Sequence, residues 1–194
     1  MGININSTEI GLVRHGLTDY NIGKCQSPYS KKNHCCLNDE GRFQIQKQVI
    51  TLRNRGWEFI ITSDLLRARE TAMIIEKKLN IPVYFWPGLR ERECGPIKHN
   101  EIDEVESYYP QLLFSSKFFG EEPIELFNTR VRKTFETLVE TYYGHKFLVI
   151  SHEGTLKTFY NIFFYQTKDI WKSGEKVDVV YNNQTWVLKD SYLL

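Results

Sequence analysis

Two histidines and two arginines in this chain each stand just beyond a short apolar run. Arg14-His15-Gly16 follows Ile10-Gly-Leu-Val13, and Ser151-His152 follows Phe147-Leu-Val-Ile150. Arg67 lies shortly after Phe59-Ile-Ile-Thr62. Arginine presents a planar fork of donors that matches phosphate oxygens, and it keeps its charge. Neutral imidazole is a competent nucleophile, and neighbouring cations help to keep it unprotonated. Helix N-termini near Asp64 and Thr155 would add positive potential. The guest that fits such a set is a compact dianion. Taken singly, each residue also reads as a surface side chain or a satisfied hydrogen-bonding partner. Their shared placement at strand ends is what points to a site.

The elements that must bring these residues together read as α/β, because short apolar runs alternate with amphipathic stretches. Strands are expected at Ile10–Val13, Phe59–Thr62, Val83–Trp86, Phe147–Ile150, Val177–Tyr181 and Trp186–Lys189. Phe147–Ile150 is apolar throughout, as a strand buried on both faces should be. Asn182-Asn183 offers the last two strands a tight turn. A helix over Gly41–Arg53 places Ile45, Val49 and Leu52 on one face. A second, capped by Ser63 or Asp64, carries Arg67 on its first turn and the stripe Leu65, Ala68, Ala72, Ile75 and Leu79. Ile124, Phe127, Val131, Phe135, Leu138 and Tyr142 repeat that spacing, and Leu156–Phe164 follows the fourth strand as a helix. In an open parallel sheet, ligands bind outside the carboxyl ends of the strands, where all four candidate side chains fall.

Length and composition bound the rest. With 194 residues, one domain over 1–194 is expected. Residues 96–123, rich in aromatics and acids, read either as a lid over a site or as a helical insertion packed into the core. Net charge is +1 and the basic residues are scattered, so no nucleic-acid partner is expected. No apolar run reaches membrane-spanning length, and the N-terminus lacks a basic region followed by an apolar stretch. Asn6 stands where a myristoylation signal wants Ser or Thr. A cytoplasmic location follows, with Cys25, Cys35, Cys36 and Cys94 as free thiols. His34-Cys35-Cys36 with Cys25 matches no common zinc spacing, so no metal site is expected. The apolar C-terminal hairpin reads as core or as an edge that pairs two subunits into a homodimer.

Leu12-Val13-Arg14-His15-Gly16-Leu17-Thr18, followed by Asn21, resembles the signature of the histidine phosphatase superfamily, the phosphoglycerate mutase-like proteins. Leu37-Asn-Asp-Glu-Gly41 resembles that family's entry into its first helix. Ser63-Asp-Leu-Leu-Arg67-Ala68-Arg-Glu-Thr71-Ala72 resembles its second arginine block, Leu89-Arg90-Glu91 with Gly95 its acid block, and Ser151-His152-Glu153-Gly154 its second histidine block. The blocks keep the family's order across about residues 9–158. The resemblance implies a three-layer α/β/α fold with a mostly parallel, about six-stranded central sheet. It implies hydrolysis of a small phosphomonoester, a phosphorylated metabolite, with His15 becoming phosphohistidine. Arg14, Arg67 and His152 would hold the phosphoryl oxygens, Asn21 would add a contact at the pocket wall, and Glu91 would protonate the departing alkoxide and then activate water. Preplaced cations can do the neutralising that magnesium does elsewhere, so no cofactor or metal is implied. For Glu91 the ordinary alternative is a salt bridge to Arg90 or Arg92.

The chain departs from the pattern in places. Leu17 replaces the usual Glu or Gln of the wall. Glu153 stands where many members have Gly, a carboxylate beside His152 that would either raise that histidine's pKa or face solvent. The stretch from Asn21 to Leu37 aligns poorly, which leaves Gln26 and Ser27 as weak substrate contacts. Ile97-Lys98-His99 follows the acid block where Trp-Glu-Gly is frequent. Between Gly95 and Arg130 the basic residues are Lys98, His99 and Lys117. No arginine cluster stands there to clamp a substrate carboxylate, which favours a phosphatase over a mutase. The remaining alternative is a non-catalytic module that binds phosphorylated ligands.

Overall fold

A computed structural model of the chain describes residues 7–23, 35–93, 122–166, 168 and 171–189. Six strands form one sheet: β1 (Ser7–Arg14), β2 (Phe59–Thr62), β3 (Val83–Phe85), β4 (Lys146–Ser151), β5 (Lys176–Asn182) and β6 (Thr185–Lys189). Their order is β3-β2-β4-β1-β5-β6. The first four neighbours run parallel, while β5 is antiparallel to β1 and β6 is antiparallel to β5. Among the described residues four helices cover it: α1 (Asp39–Leu52), α2 (Leu66–Leu79), α3 (Ile124–Thr141) and α4 (Glu153–Phe164).

The alternation of side chains along each strand sorts the core into two layers. Val13, Ile60, Leu148 and Ile150 face Ile45, Val49 and Leu52 of α1 and Ala68, Ala72 and Ile75 of α2. Ile10, Leu12, Ile61, Phe147 and Val149 face the other way. They meet Phe127, Val131, Phe135 and Leu138 of α3, and Leu156 and Phe159 of α4. The result is the three-layer α/β/α arrangement that the resemblance implied. Stripes of three-and-four spacing place the helices as expected, and their ends differ by a few residues. Asn38 caps α1 by accepting from Gly41 N at 2.8 Å, so the helix starts before Gly41. α2 starts after Leu65, with neither Ser63 nor Asp64 at its cap position. Ser63 Oγ instead accepts from Leu65 N at 3.3 Å, and Asp64 pairs with Arg90. The hairpin turn is Asn183-Gln184, one residue later than expected. Asn182 still pairs with Thr185, and both turn residues have positive φ (47° and 61°), as a tight primed turn requires.

Register now fixes what stands together at the carboxyl edge. Arg14 of β1 pairs with Ser151 of β4, and Thr62 of β2 with Ile150. The residues one step beyond, His15, His152 and Ser63, are therefore neighbours. Among the described residues, no helix is long and apolar enough to cross a membrane.

Candidate active site

His15 N donates to Ser151 O at 3.0 Å, carrying the ladder one residue past β1. Its ring then lies 5.1 Å from that of His152, centroid to centroid, at an angle of 58°. Both histidines are buried. The hydrogen bonds of His15 assign its protons. Arg67 Nε donates to His15 Nε2 at 3.1 Å, so Nε2 must hold a lone pair. His15 Nδ1, 2.8 Å from Gly16 O, must then carry the hydrogen. Burial first, then the charge of Arg67 and to a lesser degree that of Arg14, hold His15 well below the ordinary histidine value of 6.5. His152 is held well below it too, by burial and then by Arg67, His15, Arg14 and Arg130. A neutral ring with its Nε2 lone pair facing a guanidinium is a nucleophile in waiting.

Arg67 is on the first turn of α2, where expected. Burial lowers its pKa, and the charge of Glu91 opposes that most strongly. The turn is locked to the Arg14-His15-Gly16 segment through Thr71, whose hydroxyl donates to Arg67 O at 2.8 Å and accepts from Gly16 N at 3.1 Å. Arg14 is buried; its Nη1 donates to the Trp171 carbonyl and lies 3.0 Å from Glu153 Oε2. Gly174 N, in the turn before β5, donates to both Arg14 O (3.2 Å) and His15 O (3.1 Å). Of the paired histidines and arginines, Arg14 Nε and His152 Nδ1 are buried with no protein partner among the described residues. Ser63 Oγ lies 2.8 Å from His152 Nε2 and already accepts from Leu65 N, so its own hydrogen is free to go to Nε2. With the Ser63 hydrogen on Nε2, the His152 proton stands on Nδ1, the ring nitrogen that has no protein partner among the described residues.

Glu91 follows a short 3-10 turn, Pro87–Leu89, that carries the chain from β3 to the site. Its carboxylate pairs with neither Arg90 nor Arg92. Oε1 accepts from Arg92 N and Oε2 from Gly154 N in the first turn of α4, each at 2.9 Å. The lack of a side chain at Gly154 permits this approach, since a Cβ there would sit 2.5 Å from Glu91 Oε1. Arg14, His15, Arg67, Glu91 and His152 are thus brought together by β1, β2–α2, the turn after β3, and β4–α4.

A family model for the histidine phosphatase superfamily (branch 1) matches residues 10–188. The chain belongs to this superfamily. Its relatives include a Bacillus subtilis protein named "Uncharacterized phosphatase PhoE", 30% identical over 75% of this chain and 72% of that one. The metal-independent phosphoserine phosphatase of Arabidopsis thaliana is 31% identical over 79% of this chain and 67% of its own length. Among solved structures, a phosphoglycerate mutase from Bacillus anthracis superposes with a TM-score of 0.80 at 21% identity, covering 96% of this chain and 93% of that one. At that identity the likeness speaks for the fold alone.

In this histidine phosphatase, Asn21 and Glu153 have partners within the protein. The Asn21 amide oxygen accepts from Thr18 N at 3.0 Å and from Thr18 Oγ1 at 2.8 Å, closing a local turn. Glu153 pairs with Arg14 and with Lys157 at 2.9 Å; His152 is not its partner, and that histidine's pKa is lowered instead of raised. Cys35 and Cys36 are unpaired thiols. Cys25, Gln26, Ser27, His34, Cys94, Lys98 and His99, with nearly all of the proposed lid at 96–123, lie outside the described residues. Sequence reading did not find Ser63 as the partner of His152, nor the Trp171 carbonyl and Gly174 that hold Arg14 and His15. It also missed Arg130, whose guanidinium grips the loop carrying Glu91. Ser63 reaches His152 through the β2–β4 register, which the sequence does not display.

Proposed function

We propose that this histidine phosphatase hydrolyses a small phosphomonoester, without a metal, through a phosphohistidine on His15. The hydrogen bond from Arg67 Nε to His15 Nε2 is the observation that carries this reading, because it marks the nitrogen with the lone pair. In the reaction, Nε2 forms a bond to phosphorus as the ester oxygen leaves. Arg14 Nε, the Arg67 guanidinium and His152 Nδ1 donate to the equatorial oxygens, over which the transition state spreads its charge. Glu91 gives a proton to the leaving oxygen. As a carboxylate it then takes one from the water that attacks the phosphoryl group, restoring neutral His15 and releasing phosphate. Asn21 would add a contact at the pocket wall, and Glu153 would act on the substrate through its pair with Arg14.

Trapping tests the mechanism. Rapid quench of enzyme with a 32P-labelled monoester in the presence of chelator should leave an acid-labile, alkali-stable label on His15. His15→Ala should lose the label and at least roughly 10³-fold in turnover, since removing a nucleophile cripples the whole catalytic unit. Turnover undiminished in His15→Ala would reject the mechanism. Transfer between two positions of one substrate, dependent on a bisphosphorylated primer, would mark a mutase instead. The missing arginine cluster between Gly95 and Arg130 supports hydrolysis. We further propose that residues 1–194 form one domain acting in the cytoplasm on a phosphorylated metabolite, that 96–123 is its variable insertion, and that the C-terminal hairpin is where a homodimer would pair.

A further inference from the structure

Arg130 lies on the second turn of α3, about forty residues beyond the acid block, and ends beneath it. Its Nη1 donates to Gly88 O at 2.7 Å and to Arg90 O at 3.0 Å, and Nη2 reaches Glu91 O at 3.5 Å. Nε and Nη2 bind the two carboxylate oxygens of Glu122, each at 2.7 Å. A guanidinium has five N–H donors, and all five are accounted for by protein acceptors. Arg130 therefore has no donor left over for a phosphate, unlike Arg14, whose Nε is unpartnered. Its charge is spent on a run of backbone carbonyls that would otherwise repel one another.

The same loop is fixed from its other side. Ser151 Oγ donates to Leu89 O at 2.8 Å, and Thr155 Oγ1 donates to Arg90 O at 2.9 Å. Gly88 presses on α3 closely enough that a Cβ there would meet Thr134 Oγ1 at 2.3 Å. The Glu91 carboxylate is thus set by its own backbone, held on α3 by Arg130, by Arg92 N at Oε1, and by the N-terminus of α4 at Oε2. Glu122 is held in turn: its N–H donates to Glu93 O at 2.7 Å, and its carbonyl accepts from Arg92 Nε at 2.9 Å. The Arg130 and Glu122 side chains are only 26% and 18% exposed, so solvent competes weakly for these bonds.

We propose that Arg130 is the positioning residue for proton transfer by Glu91, and that Glu122 holds the guanidinium in place for it. This rests on Glu91 being the general acid. Proton donation matters most when the leaving group is a poor one, which supplies a readout that simple loss of stability would not move. An alkoxide needs the proton; a nitrophenolate leaves without it. Values of kcat/KM, which report the step that expels the leaving group, are measured for β-glycerophosphate and p-nitrophenyl phosphate in Arg130→Met, Arg130→Lys, Glu122→Gln and Glu91→Gln.

The aryl-to-alkyl ratio of kcat/KM should rise at least about tenfold in both Arg130 variants, as part of the roughly 10²–10⁴-fold that a placed general acid supplies. Lysine should not rescue it, because three donors on a point charge cannot hold three carbonyls and a carboxylate together. Glu122→Gln should move the ratio the same way by less. Should Arg130→Met fail to fold, Arg130→Lys and Glu122→Gln carry the test. A shifted ratio in Glu91→Gln with an unshifted ratio in the folded Arg130 and Glu122 variants overturns the positioning role and leaves the mechanism standing. An unshifted ratio in Glu91→Gln itself removes Glu91 as the acid, and the inference falls with it.

Discussion

Replacing Gly154 with Ala adds one methyl group at the point where α4 meets the acid. The new Cβ would sit 2.5 Å from Glu91 Oε1, 3.1 Å from Cδ and 3.3 Å from Oε2. These atoms are the far end of a flexible side chain, so the carboxylate swings away and the backbone stays. Withdrawal to ordinary contact takes about an ångström. Two consequences follow. Stability should fall by no more than about 2 kcal/mol, because Ala in place of a helical Gly gains up to about 1 kcal/mol, against the loss of one hydrogen bond of roughly 1.5–3 kcal/mol that the displaced carboxylate partly recovers in water. Activity should fall, since misplacing a reacting group by about 1 Å can cost on the order of 10²-fold. The assay is a thermal melt beside steady-state hydrolysis of an alkyl phosphate. A Gly154→Ala protein that hydrolyses it as fast as the parent would show that the seat of Glu91 on α4 is not its working position. A melt lowered by more than about 2 kcal/mol would show that the backbone, and not the side chain, had yielded.

Gly41→Ala makes the contrasting case, because its Cβ would lie 2.1 Å from Leu17 O and 2.7 Å from Leu17 N, backbone atoms that cannot rotate aside. Urea denaturation should show a loss of about 1–3 kcal/mol despite the better helix propensity, with activity lost as the segment after His15 shifts. Acidification from pH 7 to 5.5 should destabilise the ligand-free protein. Both buried histidines are held well below 6.5, so below that pH the unfolded chain takes up protons that the fold refuses, at up to about 1.4 kcal/mol per pH unit for each ring. His15→Ala should flatten that slope in urea midpoints, and a protein that gains stability over this range would contradict the assigned neutral rings. The lowered carboxylates Glu9, Glu58 and Asp64 add their losses only at lower pH. Glu153→Gln should lower KM for a dianionic ester by roughly two- to fivefold, by relieving the competition of this part-exposed carboxylate for Arg14; an increased KM would mean that Glu153 aims Arg14 at the substrate.

The residues that could be read from sequence are those whose placement is local. His15 and His152 each follow an apolar strand directly, and Arg67 rides the first turn of a helix whose stripe is plain, so strand and helix periodicity carried them to the same edge. Asp64 and Ser63 were legible as polar residues at a helix start. Their work, however, is tertiary: Asp64 meets Arg90, and Ser63 meets His152 because of how β2 aligns with β4. Glu153 was legible as a carboxylate that either acts on His152 or faces solvent; its pairing with Arg14 was not legible. On a helix, side chains lean toward the N-terminus, and this one reaches Arg14 instead. Arg130 left no trace at all. Its acceptors are backbone carbonyls of Gly88, Arg90 and Glu91, which no pattern of side-chain types can announce.

Glu122 N donates to Glu93 O, so residues 93 and 122 stand side by side on the framework. Two ends held so close tolerate a longer or shorter connection, since for a flexible connection each doubling adds only about 0.6 kcal/mol of closure entropy. Evolution, or an engineer, can therefore exchange residues 94–121 for foreign sequence while the histidines, arginines and acid keep their places. New substrate preference becomes a matter of grafting between two fixed posts.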